Sequence, residues 1–419
     1  MSEASDQQPE RTVVPLLAPA DGVPDVVDSP RMLDEAVAQL AGGTGPLAVD
    51  AERASGFRYS ARAYLLQFRR AGSGTVLIDP IPVADRMGAL AEVINPLEWV
   101  LHSADQDLPG LDELGLRPAA LYDTELAGRL AGFERVGLAA IVERTLGLGL
   151  VKGHGAADWS SRPLPDTWLN YAALDVEVLL ELHAAMAAEL ESQGKTDWAA
   201  QEFEHIRLAG PPKPKPDRWR RTSGIHALKS RRQLAAVQAL WTARDEIASS
   251  RDIAPGRILP DKAIVDAAAN DPRTVDALQA LPVFGGPRQR RMSRTWLQAL
   301  AEARSLPDSE LPPLAQPFTG PPPIGKWQRR NPEAADRFAV ARAAMTELSE
   351  RVRVPVENLL TPDLVRRLVW DWTSGPADAT EARVDAVLTA GGARPWQRQL
   401  TVPVLAAAMS TPTTATAAD

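Results

Sequence analysis

Two proline-rich runs cut this chain, and they limit what it can fold into more than any other feature. The first is Pro211-Pro212-Lys213-Pro214-Lys215-Pro216; the second lies between Ser305 and Pro323 and ends Pro321-Pro322-Pro323. Proline has no backbone donor and a fixed φ, so such runs cannot sit inside a helix and favour extended connectors. A chain of 419 residues broken at these places reads as three modules. The expected divisions are 1–12, a disordered N-terminus; 13–210, a first domain; and 211–227, a stiff basic linker. Residues 228–305 then form a second domain, 306–327 a proline-rich linker, 328–409 a third domain and 410–419 a disordered tail.

Local patterns differ between the modules. Ser29-Pro30 sets an N-cap before proline at the first helical position, which predicts a helix to about Ala41. Residues 47–51, 63–69 and 75–78 read as strands, the last two joined by the turn Ala71-Gly72-Ser73-Gly74. A helix at 86–94, a strand at 98–102, a helix at 107–114, a strand at 119–122 and a helix at 124–131 follow, and 166–208 is helical almost throughout. Three strands in a meander, then strand–helix alternation, predict an α/β domain whose mixed sheet is flanked by helices. Residues 228–305 and 328–405 show only helical periodicity and predict two all-α helical bundles.

Composition narrows the chemistry. Cysteine is absent, which excludes a disulfide framework, a thiolate zinc site, an iron–sulfur cluster and a cysteine nucleophile. The histidines are His102, His154, His183, His205 and His226, and no two have the H-x-x-x-H spacing of a histidine-built metal centre. Any metal would be a hard, oxygen-ligated ion such as Mg²⁺ or Mn²⁺. The first twelve residues are polar and acidic, and the apolar stretch 172–190 is broken by Asp175, Glu177, Glu181 and His183. No leader and no membrane span are expected, and a cytoplasmic location follows by default.

The net charge of −8 hides an asymmetry. Residues 1–210 carry 16 Lys/Arg against 32 Asp/Glu, residues 211–305 carry 18 against 9, and the remainder 12 against 13. A basic module beside an acidic one suits a nucleic-acid enzyme in which one part grips phosphates and the other binds cations. Chance clustering on solvated faces would produce the same counts.

Acidic residues recur where strands end. Asp50 and Glu52 close the first buried strand and, with period two, point to one side. Two buried carboxylates side by side repel unless a cation sits between them; a strand that simply ends would leave both in water. From His102 the pattern H-x-x-x-x-D reaches Asp107, with Asp105 between them. Both acids stand at a helix start, where a cap or the helix dipole would favour either. Tyr122-Asp123-Thr124 reads as a plain N-cap. Tyr171 and Asp175 are four apart on one helix face, beside the apolar stripe Leu174, Val178 and Leu182. A carboxylate there borders the core, although a surface Tyr–Asp pair has the same spacing.

Taken in order, D-x-E, H-x-x-x-x-D and Y-x-x-x-D resemble the DEDD exonuclease superfamily in its tyrosine-bearing branch, and within it the ribonuclease D family. Lys152, with Asp158-Trp159-Ser160 and Arg162-Pro163-Leu164 ahead of Tyr171, looks like that family's lead into its third motif. The resemblance runs over about 24–210 and implies a ribonuclease H-like exonuclease domain. Trp241, Arg244, Asp245, Arg251 and Asp252, followed by Pro260-Asp261-Lys262, resemble the helical module shared by helicases and ribonuclease D, abbreviated HRDC. Pro332-Glu333 and 356–364 resemble a second module of this kind. The stretch 53–67 departs from the threonine- and tyrosine-rich version of enterobacterial members, which bears on contacts near a substrate 3′ end.

The resemblance implies a two-metal phosphodiester hydrolase. Asp50, Glu52, Asp107 and Asp175 would ligate two divalent cations, Mg²⁺ or Mn²⁺. Asp50 would bridge both, Glu52 and Asp175 would serve the ion that activates water, and Asp107 would serve the other through water. Tyr171 would hold the attacking water by its hydroxyl. Nucleoside 5′-monophosphates would leave stepwise from RNA 3′ ends, single-stranded or on structured RNA such as tRNA precursors. Phe57, Tyr59 and Trp159 are candidates to stack on the entering strand and equally candidates for core; Trp241 is a candidate for backbone contact or core. Two other readings stay open: an exonuclease fold that lost catalysis and serves as an RNA-binding scaffold, and an exonuclease acting on DNA. The presence of all four acids and the tyrosine argues against loss.

Overall fold

The computed structural model describes residues 13–150, 153–211, 215–315, 320–372 and 380–410. The expected tail at 1–12, residues 411–419 of the C-terminal tail, and Lys152 lie outside the described residues.

Among the described residues the first domain holds β1 (Val14–Leu16), β2 (Val26–Val27), β3 (Thr44–Arg53), β4 (Ala63–Ala71), β5 (Gly74–Ile78), β6 (Glu98–Leu101), β7 (Ala120–Asp123) and β8 (Leu148–Leu150). Six of these form a mixed sheet in the order β2-β5-β4-β3-β6-β7, and β1 pairs with β8 apart from it. β3, β4 and β5 are the expected antiparallel meander, while β2, β6 and β7 add parallel edges. Gly72 and Gly74, with φ of 80° and 74°, take the left-handed conformations that the tight β4–β5 turn requires.

Helices α1 (Pro30–Ala41), α2 (Met87–Ile94), α3 (Leu108–Asp112), α4 (Thr124–Leu130), α5 (Leu138–Leu146), α6 (Asp166–Glu177), α7 (Leu179–Ser192) and α8 (Thr196–Leu208) surround the sheet. Leu33 and Leu40 of α1 and Leu90 of α2 share a core with Leu47, Val49, Leu66, Phe68 and Val76 on one face. On the other face α6 lies across β3, β4 and β5. Covering both faces is what makes the strand centres apolar throughout, as in Leu47-Ala48-Val49.

The expected elements occur, with β3 longer than 47–51 because pairing with β4 continues through register shifts at both ends. β1, β2 and β8 have two or three residues each, too few for alternation to register in sequence. Ser29 stands at the N-cap of α1, yet its side chain makes no capping hydrogen bond.

The second domain consists of α9 (Arg231–Arg251), α10 (Pro255–Ile258), α11 (Asp261–Asn270), α12 (Val275–Gln279), α13 (Pro287–Arg291) and α14 (Ser293–Ser305). A capping box between Ser230 and Gln233 starts α9. The third consists of α15 (Trp327–Arg330), α16 (Pro332–Val352), α17 (Val356–Leu359), α18 (Pro362–Trp370), α19 (Glu381–Ala390) and α20 (Pro395–Ser410). Ser410 therefore ends a helix rather than opening a tail.

The described parts of the two connectors are less extended than proline content implies. Arg218–Arg221 and Ile225–Ala227 form 3₁₀ turns, and Trp219 is buried in the core of the second domain. In the other connector Asp308–Glu310 is a 3₁₀ turn, Leu311 is buried, and Trp327 is fully buried with its indole N–H donating to Pro322 O at 2.7 Å. Burying one large apolar side chain is worth about 1.5–3 kcal/mol, enough to fold a connector back onto its neighbour.

Both helical domains dock on the first. The segment after β3 meets the second domain: the Arg257 guanidinium lies 4.0 Å from the Phe57 ring centroid, and the Tyr59 hydroxyl donates to Asp245 at 2.9 Å. Asp252 accepts from Ser60 N at 2.8 Å and from the Tyr64 hydroxyl at 3.2 Å. On the far side Trp198 stacks on Trp396 at 5.1 Å, and Arg394 grips Glu202 with two hydrogen bonds of 2.5 and 2.7 Å. Buried residues of the first and third domains form one continuous hydrophobic core, whereas the second domain has its own. No helix among the described residues is long and apolar enough to cross a membrane.

Candidate active site

Three elements converge under α6. β3 carries Asp50 and Glu52 on the face that α6 covers, and α6 carries Tyr171 and Asp175 one turn apart. The chain leaves β6 through Ser103, in a left-handed conformation with φ 65°, and a 3₁₀ turn at Ala104–Gln106 delivers Asp107 to the head of α3. Asp123 fixes this turn. It caps α4 by accepting from Leu126 N at 3.0 Å, and it also accepts from Ser103 N at 3.2 Å and Ala104 N at 2.8 Å. The expected N-cap thus also clamps the loop that presents Asp107. Asp105 is exposed and caps nothing.

Carboxylate oxygens of Asp50, Glu52 and Asp175 all lie within 4.8 Å of one another. Asp107 is outside that trio but lines the same cleft of about 480 Å³, with Arg53 Nε 3.8 Å from its Oδ1. Glu52 and Asp107 are each only 7% exposed. Burial, then the charges of Asp50, Asp175 and Asp107, pushes Glu52 up to about 9. Burial raises Asp50 to about 6 against the pull of the Ala51 N–H and Arg53. Asp107 and Asp175 are raised well above the carboxylate range by burial and next by the charge of Asp50. The Tyr171 hydroxyl is raised above its ordinary value by burial and by Asp175, Glu52 and Asp50, so it keeps its proton. Burial lowers His102 to about 4, and its Nδ1 is engaged with Thr124 Oγ1 at 2.9 Å.

Four carboxylates crowded around one arginine need positive charge. Their donors are all oxygen, which fits hard divalent cations such as Mg²⁺ or Mn²⁺ and not a soft or thiolate-bound metal.

Gly153 supports Tyr171 and carried no recognisable signal in the sequence. A Cβ there would stand 2.3 Å from Tyr171 Cδ2, so only glycine lets the ring lie where it does. The His154 ring stands edge-on to the Tyr171 ring, with centroids 5.9 Å apart. Gly153→Ala should displace the ring by a sizeable fraction of an ångström and lower the rate by up to about 10²-fold, the cost of a 1 Å misplacement. Single-turnover rates check this, and a wild-type rate in Gly153→Ala would show that the ring position does not matter.

The aromatic candidates are engaged elsewhere. Trp159 is fully buried, donates its indole N–H to His154 O at 3.2 Å and packs on Trp168. Phe57 and Tyr59 bind the second domain. Trp241 is half-buried, with Arg218 5.4 Å and Arg244 6.0 Å from its ring. Arg162 pins its segment to the sheet by bonds to Asp79 at 2.6 Å and Tyr64 O at 2.8 Å, a structural role for the lead-in motif.

Comparison with known proteins places the fold of the chain. Residues 24–191 match the family described as 3′-5′ exonuclease, 233–300 the HRDC domain, and 320–409 the family described as 3′ to 5′ exonuclease C-terminal domain. Ribonuclease D of Jannaschia sp. is 31% identical over 273 residues, covering 63% of this chain and 70% of the relative. Ribonuclease D of Gluconacetobacter diazotrophicus is 34% identical over 254 residues, covering 59% of this chain. The matches span 64% and 62% of the lengths of that relative and of Acidiphilium cryptum ribonuclease D, less than two thirds of each. The crystal structure of a protein from Bifidobacterium adolescentis superposes with a TM-score of 0.88 at 38% identity, covering 95% of this chain and all of that one. Escherichia coli RNase D, described as an exoribonuclease involved in structured RNA processing, shares the fold with a TM-score of 0.64 at 24% identity, covering 87% of this chain and 98% of that one.

Proposed function

Since the chain belongs to the ribonuclease D family, we propose that it is a divalent-metal-dependent 3′→5′ exoribonuclease that releases nucleoside 5′-monophosphates from RNA 3′ ends. The observation that carries this reading is the trio of carboxylates within 4.8 Å, beside a half-buried tyrosine whose hydroxyl stays protonated. Asp50, Glu52, Asp107 and Asp175 are the proposed ligands. Two divalent cations, Mg²⁺ or Mn²⁺, would supply an activated water and neutralise charge on the phosphate and the departing 3′ oxygen.

The remaining tasks fall to the chain. Asp50 is the acid whose charge bears most on both Asp107 and Asp175, which suits a bridging place between them. Tyr171 orients the attacking water by hydrogen bonding and is not the base, since its proton is held more tightly than in free tyrosine, whose pKa is near 10. Arg53, at the rim beside Asp107, is placed to meet a phosphate oxygen. The basic second domain would grip structured RNA such as tRNA precursors, in the cytoplasm.

The direct test is digestion of 3′-labelled RNA and matched DNA with Mg²⁺ or Mn²⁺. Release of labelled mononucleotide from RNA is expected; no product from RNA with either ion rejects the proposal, and faster release from DNA replaces the substrate. A second test concerns the helical domains. A chain ending at Gly210 should lose about 10-fold or more in affinity for tRNA-sized RNA, with a shallower salt dependence, because phosphate contacts release counterions. It should also melt lower, since Phe57, Tyr59 and Trp198 lose their cover. Equal affinity and salt slope in a filter-binding titration would remove these domains from RNA binding.

A further inference from the structure

Gln67 lies in the middle of β4, where the antiparallel register sets it opposite Asp50 on β3 and Leu77 on β5. Directly opposed residues share a face of the sheet, with Cβ atoms about 4.5–5.5 Å apart. The glutamine therefore stands beside Asp50 on the face that α6 covers. It is fully buried, and neither its amide nitrogen nor its amide oxygen has a hydrogen-bond partner within the protein. Two of its neighbours on this face are apolar: Leu65 and Leu77 pack in one cluster with Ala172 and Ala173 of α6. The nearby cation on this face, Arg69, is already engaged by Glu177 at 3.0 Å and Thr75 at 3.0 Å.

A buried amide with both ends unsatisfied opposes folding, and a methionine or leucine of similar volume would pack without that penalty. Packing thus does not account for an amide at this position. The polar group that the register places next to it is the carboxylate with the central place in the site. We infer that Gln67 is a positioning residue: its amide N–H donates to one bound water that in turn donates to the Asp50 carboxylate and holds it turned toward Glu52, Asp107 and Asp175. Hydrogen bonds of this kind to ligating carboxylates set ligand orientation, and their loss typically weakens metal binding 10–100-fold. The inference rests on the metal-site reading proposed above.

The test compares wild type, Gln67→Met and Asp50→Asn in the full chain, titrating Mn²⁺ by calorimetry and melting each protein without metal. Gln67→Met should melt at or above the wild-type temperature, bind Mn²⁺ about 10-fold or more weakly, and recover its rate in excess Mn²⁺. Wild-type Mn²⁺ affinity in Gln67→Met, with Asp50→Asn binding none, overturns the positioning role and leaves the metal site standing. Absence of Mn²⁺ binding in wild type overturns both. Should Gln67→Met not fold, a crystal structure of the wild-type protein with Mn²⁺ decides. Gln67 Nε2 is expected within about 3.2 Å of a water bound to Asp50, and an amide bonded elsewhere overturns the inference.

Discussion

Asparagine at position 50 should abolish exonuclease activity while making the metal-free protein harder to melt. In the proposed site Asp50 is the ligand that both cations would share, so its loss would disable both halves. A metal site contributes several kcal/mol of transition-state charge stabilisation, and a loss of about 4 kcal/mol corresponds to about 10³-fold in rate. Stability moves the other way because burial raises Asp50 from its ordinary 3.8 to about 6. Between those values the folded state holds a proton that the unfolded state has released, so the apo protein loses stability as pH rises through that range. Asparagine cannot ionise and escapes the loss. The melting temperature of Asp50→Asn in a chelator should exceed that of wild type above about pH 6 and converge with it near pH 4. Half of the wild-type rate in Asp50→Asn would show that the site lies elsewhere.

Tyr171→Phe should lower the single-turnover rate by about 10²-fold, the lower range for a group that positions a proton or a water in the transition state. The substitution keeps the ring that packs against Gly153 and His154 and removes only the oxygen. Substrate affinity and melting temperature should therefore change little. Tyr171→Ala, which empties that space, should fall in both rate and melting temperature. Because the hydroxyl keeps its proton well beyond neutral pH, the wild-type profile should show no limb from tyrosine ionisation below about pH 9. A Phe variant that turns over at the wild-type rate would remove Tyr171 from the mechanism and leave the carboxylates to act alone.

What could be read in advance followed from local periodicity. Asp50 with Glu52, and Tyr171 with Asp175, are spaced at two and four residues, so strand and helix geometry alone puts each pair on one side. Asp107 was different: Asp105 has the same local credentials, and only the resemblance selects between them. The structural reason is the left-handed Ser103, which exposes Asp105 and turns Asp107 inward. Gly153 and Gln67 carried no local signal, since each matters through a residue that is distant in the chain. The same distance explains the aromatics. Phe57 and Tyr59 look like a stacking platform until the surface around Asp245 and Arg257, nearly two hundred residues later, is seen to cover them. Proline predicts extended connectors between the modules, but Trp219 and Trp327 decide how tightly each connector folds back.

The core common to the first and third domains bears on how the protein is made. Trp198, Glu202 and the ends of α7 and α8 meet partners such as Arg353, Arg394 and Trp396, which stand near the other end of the chain. Translation proceeds from the N-terminus at about 5–20 residues per second. The exonuclease sheet is complete long before the residues that seal its far side leave the ribosome. For about ten seconds or more at those rates the nascent chain holds a formed acidic cleft on one side and an uncovered apolar flank on the other. The middle domain, with a separate core, can close meanwhile. α20, which follows the first domain by nearly two hundred residues, thus helps to finish it.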